Sequence, residues 1–411
     1  MKTLKRYIPT LVKEKLNNVD FKDKEKLFVI CDMIFRSSIF KKCDKTYNND
    51  YVDIPSYYFR DIITEYKKPV DFLIENKIIE CDGFYSKEAG KSLGYRFNEK
   101  YISLLTEVLI SKITIKKKII NNKNKRNNLV KKSLSTYKDF YLKKFDIDYN
   151  KALSYLNNWY EESMFILNDN NDNNKYKKTE FIKECTKVIN KYNSIFISIS
   201  AIKDGDLFFK KNKTNGRIDT NLTSLKSEYK QFIKSDDELY SIDIINSQPF
   251  ILSLLLDKVK NKEEVQKYKD WTSNGNFYEN FGKSVYTRTG KEITRKEIKK
   301  LMFCIFYSKN ASYCKQKEIF KSIFPSIYDF IKDKKKKQHN RFAIELQKAE
   351  SEICIDIICK ELDDKNISYY TIHDSFIVKK SDIYETKKTI FDNFKLKYNN
   401  IPSLSTEKVN I

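Results

Sequence analysis

Residues 369–378 read YYTIHDSFIV, two short apolar runs on either side of the pair His373-Asp374. Aromatic and β-branched residues, a two-residue polar break and a second such run predict a strand, a tight turn and a strand, with Asp374 projecting from the turn. The chain has only two histidines, and one occupies this turn. A plain hairpin tip needs no His-Asp pair, although a histidine there also serves as a hydrogen-bonded turn residue. A second carboxylate closes a strand at residues 239–256, LYSIDIINSQPFILSLLL, where Asp243 ends a short apolar run and Pro249 precedes an apolar helix. Such a carboxylate, beside a buried helix, suits a metal ligand; Asp is equally familiar there as a helix cap.

Between the two lies RKEIKKLMFCIFY, residues 295–307. At ~100° per residue, Arg295, Lys299, Phe303 and Tyr307, each four apart, follow one slowly drifting helix face. Two cations a turn apart suit a polyphosphate, and the aromatics beyond them can stack on a base. The plainer alternative is an amphipathic helix with solvated cations and core aromatics. Upstream, TNGRIDTNL at 214–222 reads as a turn and a polar strand, with Arg217 available to a nucleic-acid backbone. Residues 341–360 read as one long helix with Gln347 and Glu350 on the polar side of its core face, and the four lysines at 334–337 as a solvated loop.

Taken in chain order, these segments resemble the right-hand palm of family A DNA polymerases and of single-subunit phage and mitochondrial RNA polymerases. That family places a catalytic Asp after a strand (Asp243), an Arg-x-x-x-Lys fingers helix with a Tyr eight residues after the Lys (Arg295, Lys299, Tyr307), and a His-Asp turn (His373-Asp374). His373-Asp374-Ser375-Phe376 looks like the phage RNA polymerase version. Phe303, by contrast, matches the DNA polymerases, as do Asn215-Gly216-Arg217 and Thr220-Asn221-Leu222, with Asn where those enzymes have Thr. Asn276-Phe277-Tyr278 resembles the family's Asp-Ile-Tyr element, with Asn276 in place of the Asp. Ser308 stands where the family has Gly after the Tyr. Gln248, five residues after Asp243, occupies the sugar-selecting position, Glu in the DNA polymerases and Gly in the phage RNA polymerases. Its bulk favours deoxynucleotides, while its amide can also hydrogen-bond a 2′-hydroxyl.

The resemblance implies a nucleotidyltransferase. Phosphoryl transfer to a 3′-hydroxyl builds charge on the attacking and leaving oxygens, which two Mg2+ ions stabilise, and Mg2+ prefers hard oxygen ligands. Asp243 and Asp374 are the expected metal ligands. Lys299 is expected to neutralise or protonate the departing pyrophosphate, Arg295 to grip the outer phosphates by a bidentate fork, and Phe303, Tyr307 and Gln248 to frame the nucleotide. His373 is expected to orient the primer end or a phosphate. The partners implied are a template–primer DNA duplex and nucleoside triphosphates.

Composition agrees with a polyanionic partner: 79 Lys+Arg against 56 Asp+Glu give a net charge of +23 over 411 residues. Residues 112–132 carry nine cations and no acid, so Lys116, Lys117, Lys118, Lys125 and Arg126 are candidate phosphate contacts, or else one solvated helix face. With only 8 Gly, phosphate loops built on glycine are poorly supplied. The nearest candidate, Gly275 to Gly282-Lys283-Ser284, has six intervening residues where a Walker A loop takes four. The eight cysteines form no C-x-x-C pair, and no targeting segment or long apolar span is evident, which leads us to expect an intracellular chain without membrane contact.

Toward the N-terminus, helical periodicity at 25–35, 56–63 and 67–77, a strand at 78–81, a polar tip and a returning strand at 95–97 give the order of a winged helix. FLIENKIIECDGFY and GYRF resemble the winged helix-turn-helix modules of phage and plasmid replication proteins. We therefore expect an α+β chain: a winged-helix DNA-binding module over 1–110, a basic helical thumb-like region over 111–205, and a palm and fingers with an antiparallel sheet over 206–411. The leading reading is a DNA-directed DNA polymerase of phage or plasmid type. A single-subunit RNA polymerase or primase is the near alternative, and a non-catalytic winged-helix replication initiator or regulator the distant one.

Overall fold

The computed structural model describes residues 4–40, 51–127, 134–172, 176–312 and 315–409. They form two compact units. One comprises Met1–Asn128, Asp146–Phe208 and Leu225–Phe232; the other comprises Leu129–Phe145, Phe209–Ser224 and Ile233–Ile411. Both mix helices with small antiparallel sheets, and no helix among the described residues is long and apolar enough to cross a membrane.

The first unit runs β1 (Leu4–Pro9), helices Thr10–Asn17 and Lys24–Phe40, β2 (Val52–Asp53), helices Ser56–Arg60 and Lys67–Glu75, β3 (Ile79–Cys81), β4 (Gly94–Phe97) and β5 (Leu105–Ile110). β1 pairs with β5, while the other three strands lie in the order β2-β4-β3. The helix Lys24–Phe40 buries Leu27, Ile30 and Ile34 against Val12, Leu16, Phe59, Leu73 and Ile78. In Lys67–Glu75, Pro69 sits in the first turn, where its missing N–H is harmless, and buries with Val70 and Leu73. Lys77, left-handed at φ 54°, follows that helix, and the chain then enters β3. The tip between β3 and β4 is fixed by Asp82, which accepts from Gly94 N (2.8 Å), Phe84 N (3.1 Å) and Lys91 Nζ (2.7 Å), leaving Phe84 and Tyr85 exposed.

A buried ion-pair network ties this unit together. Asp32 accepts from Arg36 Nε at 2.9 Å and pairs with Arg6 at 3.4 Å, and both arginines reach Asp206, as does Lys123. Burial alone would raise the Asp206 carboxyl, but Arg6, Arg36 and Lys123 outweigh it and hold the group below its ordinary range. Helices Tyr149–Asp172 and Lys178–Lys203 pack as an antiparallel pair, pinned by Tyr192 Oη donating to Asn157 (2.7 Å).

The second unit contains β6 (Phe209–Lys211), β7 (Ile218–Thr220), β8 (Leu239–Ile244), β9 (Tyr369–Ile372), β10 (Ser375–Lys379) and β11 (Leu404–Lys408). β6 and β7 form a hairpin; the other four make an antiparallel sheet in the order β11-β8-β10-β9. β10 is central and buried at Ser375 through Val378, as its unbroken apolar run requires. The helix Ser135–Lys144 packs on this unit through its tyrosines: Tyr137 stacks on Tyr369 at 4.6 Å and accepts from Thr371 N, and Tyr141 accepts from Leu222 N.

The helix expected over 341–360 is built as Arg341–Ser351 and Cys359–Asp364, joined by a π-helical stretch, Glu352–Ile358. Sequence periodicity does not reveal such a widening, which is common beside functional groups. Immediately before it, Ser351 faces Gly216 in the β6–β7 turn, where an added Cβ would lie 3.0 Å from the Ser351 Cβ. Gly216 also has φ +79°. Gly216→Ala therefore meets left-handed strain and a steric clash together and is expected to cost about 2–4 kcal/mol in urea unfolding. A loss below about 1 kcal/mol would mean that the turn relaxes away from the helix.

Five helices, Lys262–Ser273, Phe277–Thr289, Arg295–Tyr307, Lys315–Ile323 and Pro325–Lys334, surround a cluster of Tyr268, Trp271, Phe277, Phe281, Phe320 and Phe324. The buried Glu264 accepts from Ser326 N and Ile327 N, satisfying the start of the last of these helices. One expectation fails here. Lys335, read as part of a solvated loop, is 4% exposed and donates to Ile305 O at 2.6 Å. Burial, then neighbouring Lys317, pushes its ammonium down to about 8. The helix end supplies the reason: its last carbonyls lack intrahelical partners, and a buried cation satisfies one of them.

Candidate active site

The sheet register decides where the two carboxylates lie. Asp243 in β8 is the direct partner of Ser375 in β10, and Asp374 is the residue before Ser375. Ile372 pairs with Ser375, so His373 and Asp374 alone make the turn, with His373 left-handed at φ 62°. Such a conformation at a non-glycine residue costs on the order of 1–3 kcal/mol and persists where the surroundings impose it. Ser241 Oγ donates to Asp243 Oδ2 at 3.0 Å and lies 2.8 Å from Ser375 Oγ. Burial pushes the Asp374 carboxyl above its ordinary value and Asp243 adds to the rise, against the Ser247 hydroxyl and Arg217. Asp374 thus senses the charge of Asp243 at one end of the sheet.

Around them runs a chain of hydrogen bonds that begins at the β6–β7 turn. Arg217 donates to Glu350 through Nε (2.8 Å) and Nη2 (2.9 Å), Gln248 Nε2 donates to the same carboxylate (2.6 Å), and Tyr307 Oη donates to Gln248 Oε1 (3.0 Å). Glu350 is 1% exposed, and burial followed by the charge of Asp374 pushes it up to about 7. Tyr307 is pushed up to about 12, mainly by burial.

The Arg295–Tyr307 helix starts with a capping box, Thr294 with Glu297, and buries Ile298, Leu301, Met302, Ile305 and Phe306. Its other face leaves Arg295, Lys299 and Phe303 exposed, Phe303 by 59%. Phe303 is therefore not a core aromatic. The Arg295 guanidinium lies 5.2 Å from the centre of the Tyr278 ring and Lys299 Nζ lies 5.8 Å from it, while Arg295 also donates to Glu279 at 2.6 Å. Tyr278 is pushed up to about 12, chiefly by burial, with Tyr307 and Asp374 among the groups acting on it. The ring thus carries the two cations of the helix face within electrostatic range of Asp374.

No family model matches the chain, and no curated protein matches it. Among solved structures it is similar to the POL domain of Pol1 from M. smegmatis in complex with DNA primer-template and dNTP, at 11% identity and a TM-score of 0.48 over 72% of each chain.

Asp243, Asp374, His373, Gln248, Arg295, Lys299, Phe303 and Tyr307 all lie in the second unit, and Arg217 joins them through Glu350 instead of facing solvent. The basic strip behaves differently. In the helix Ile113–Asn127 of the first unit, Lys116 is buried, Lys118 donates to Thr64 Oγ1 (2.7 Å), and Lys117 and Lys125 are exposed. The side chain of Arg126 lies outside the described residues. Two participants were not assigned a role from sequence. Glu350 gave a signal, an acid on the core face of a helix; Tyr278 gave one as the end of Asn276-Phe277-Tyr278, but its contact with Arg295 and Lys299 gave none, because that depends on how two helices pack.

Among the described residues no group of three or more His, Cys, Asp or Glu side chains gathers to hold a metal. The candidate ligand set is therefore the Asp243–Asp374 pair. Two hard-oxygen donors whose charges repel suit a divalent cation that keeps part of its water shell, which is Mg2+ behaviour.

Proposed function

We propose that the chain is a template-directed nucleotidyltransferase, and more narrowly a DNA-directed DNA polymerase that works with two Mg2+ ions. The observation that carries this reading is the register pairing Asp243 with Ser375, which sets Asp243 and Asp374 at the same end of the sheet. In the reaction, the primer 3′-oxygen forms a bond to the α-phosphorus as the bond to pyrophosphate breaks, and the 3′-hydroxyl proton passes to solvent. Asp243 and Asp374 would hold the ions, which when bound lower the charge on the attacking and leaving oxygens.

Arg295 and Lys299 grip the triphosphate, and Lys299, one turn closer to Tyr307 along the helix, is suited to the leaving pyrophosphate. Phe303, exposed one turn beyond Lys299, offers a ring to the incoming base. Gln248 stands where bulk opposes a ribose 2′-hydroxyl, which favours deoxynucleotides. The first unit supports a winged-helix duplex reader by its element order and its β2-β4-β3 sheet, with Lys67 and Lys68 at the exposed start of the helix Lys67–Glu75 and Phe84 and Tyr85 at the tip. A ribonucleotide polymerase or primase remains the second reading because Ser375 follows Asp374, as in the phage RNA polymerases.

Primer extension on a DNA template with Mg2+ and either dNTPs or NTPs tests the proposal. Wild type is expected to extend with dNTPs, and Lys299→Ala to lower kcat by about 10²–10³-fold, the range typical of losing one electrostatic group that acts in the transition state. Primer-independent synthesis from NTPs alone would replace the DNA reading with the ribonucleotide one. Absence of any extension would leave the distant alternative, a non-catalytic DNA-binding protein.

A further inference from the structure

We propose that Glu350 is a positioning residue that fixes the amide of Gln248 in one orientation and thereby sets discrimination between deoxy- and ribonucleotides. The inference rests on the polymerase reading and extends it to a residue on a different helix from the sugar-selecting position.

Four segments meet in this network: the β6–β7 turn with Arg217, the helix Ser247–Ser253 with Gln248, the helix Arg295–Tyr307 with Tyr307, and the helix Arg341–Ser351 with Glu350. The Arg217 fork donates to both oxygens of Glu350, which favours the ionised carboxylate, and that form accepts hydrogen bonds and cannot donate them. Glu350, held by the Arg217 fork, therefore takes the NH2 end of Gln248 at 2.6 Å and turns the carbonyl end toward Tyr307, whose hydroxyl donates at 3.0 Å. Both ends of the amide are then engaged. A free glutamine could swing aside or offer its amide to a 2′-hydroxyl; this one is clamped and presents only bulk. The same helix anchors the turn once more, where Asn215 donates to Gln347 at 3.2 Å.

Glu350→Gln keeps the volume but supplies one acceptor and one donor, so the Gln248 amide becomes free to flip. Single-nucleotide primer extension by the full chain, comparing kcat/KM for a matched dNTP and its rNTP, reads the effect. Glu350→Gln is expected to lower the dNTP/rNTP ratio by about tenfold or more, carried by KM for the ribonucleotide more than by kcat. Tyr307→Phe, which frees the other end of the amide, is expected to move the ratio the same way. If both variants keep the wild-type ratio while Gln248→Ala lowers it, the filter works without Glu350 and the inference is overturned. If wild type extends with neither nucleotide, the polymerase reading itself fails, and this inference with it.

Discussion

Asp374→Asn is expected to reduce dNTP incorporation by on the order of 10³- to 10⁵-fold while leaving the protein as stable as wild type or more so. The two effects have one cause. Asn keeps the size and turn preference of Asp but removes a charge that burial and Asp243 already disfavour. A carboxyl whose pKa is raised on folding stabilises the fold below its unfolded pKa, and that contribution is lost as pH rises through the folded value. At neutral pH the native Asp374 is therefore a cost to the fold, and Asn relieves it. Activity and thermal melting measured on one preparation check both signs. A variant that is inactive because it has unfolded would not fit, and neither would one that extends as wild type does.

Arg217→Met is expected to destabilise the protein by about 3–5 kcal/mol, the range for removing one partner of a buried ion pair. Glu350 would be left almost fully buried beside Asp374 with only Gln248 to satisfy it. The double variant Arg217→Met with Glu350→Met is expected to recover most of that loss, since a well-packed apolar pair avoids the stranded charge. The pH dependence follows from Glu350. Already pushed up to about 7, its carboxyl rises further without Arg217, so wild type and the single variant lose stability alike between the unfolded value near 4.5 and about 7, and above that the single variant alone goes on losing it until its own higher folded value is passed. Urea unfolding of the three proteins across pH 5 to 8 reads this directly. Equal losses in the single and double variants would assign the effect to packing.

Much of this arrangement is legible in the chain, for identifiable reasons. The β9–β10 hairpin and β8 are strong local patterns, apolar runs cut by a polar break, and their carboxylates fall where such breaks fall. The Arg295–Tyr307 face is legible because a four-residue spacing survives folding, as the exposed Arg295, Lys299 and Phe303 show. Arg217 and Lys116 are less so. Charge in a sequence says nothing of which way a side chain turns, and here one meets a buried acid 133 residues away while the other is buried. The burial of Lys335 escapes sequence reading for a similar reason, since it answers a backbone carbonyl of another helix, and the π-helical stretch after Ser351 leaves no mark in the periodicity.

The central claim is that Asp243 and Asp374 together hold a divalent cation. Iron-directed cleavage tests it without relying on turnover: Fe2+ takes the place of Mg2+, and ascorbate with peroxide then generates radicals that cut the backbone beside the ion. The account predicts cuts near both Asp243 and Asp374, suppressed by excess Mg2+ and lost at both places in Asp374→Asn. Cutting at only one of the two, or cuts that persist in the variant, would contradict it.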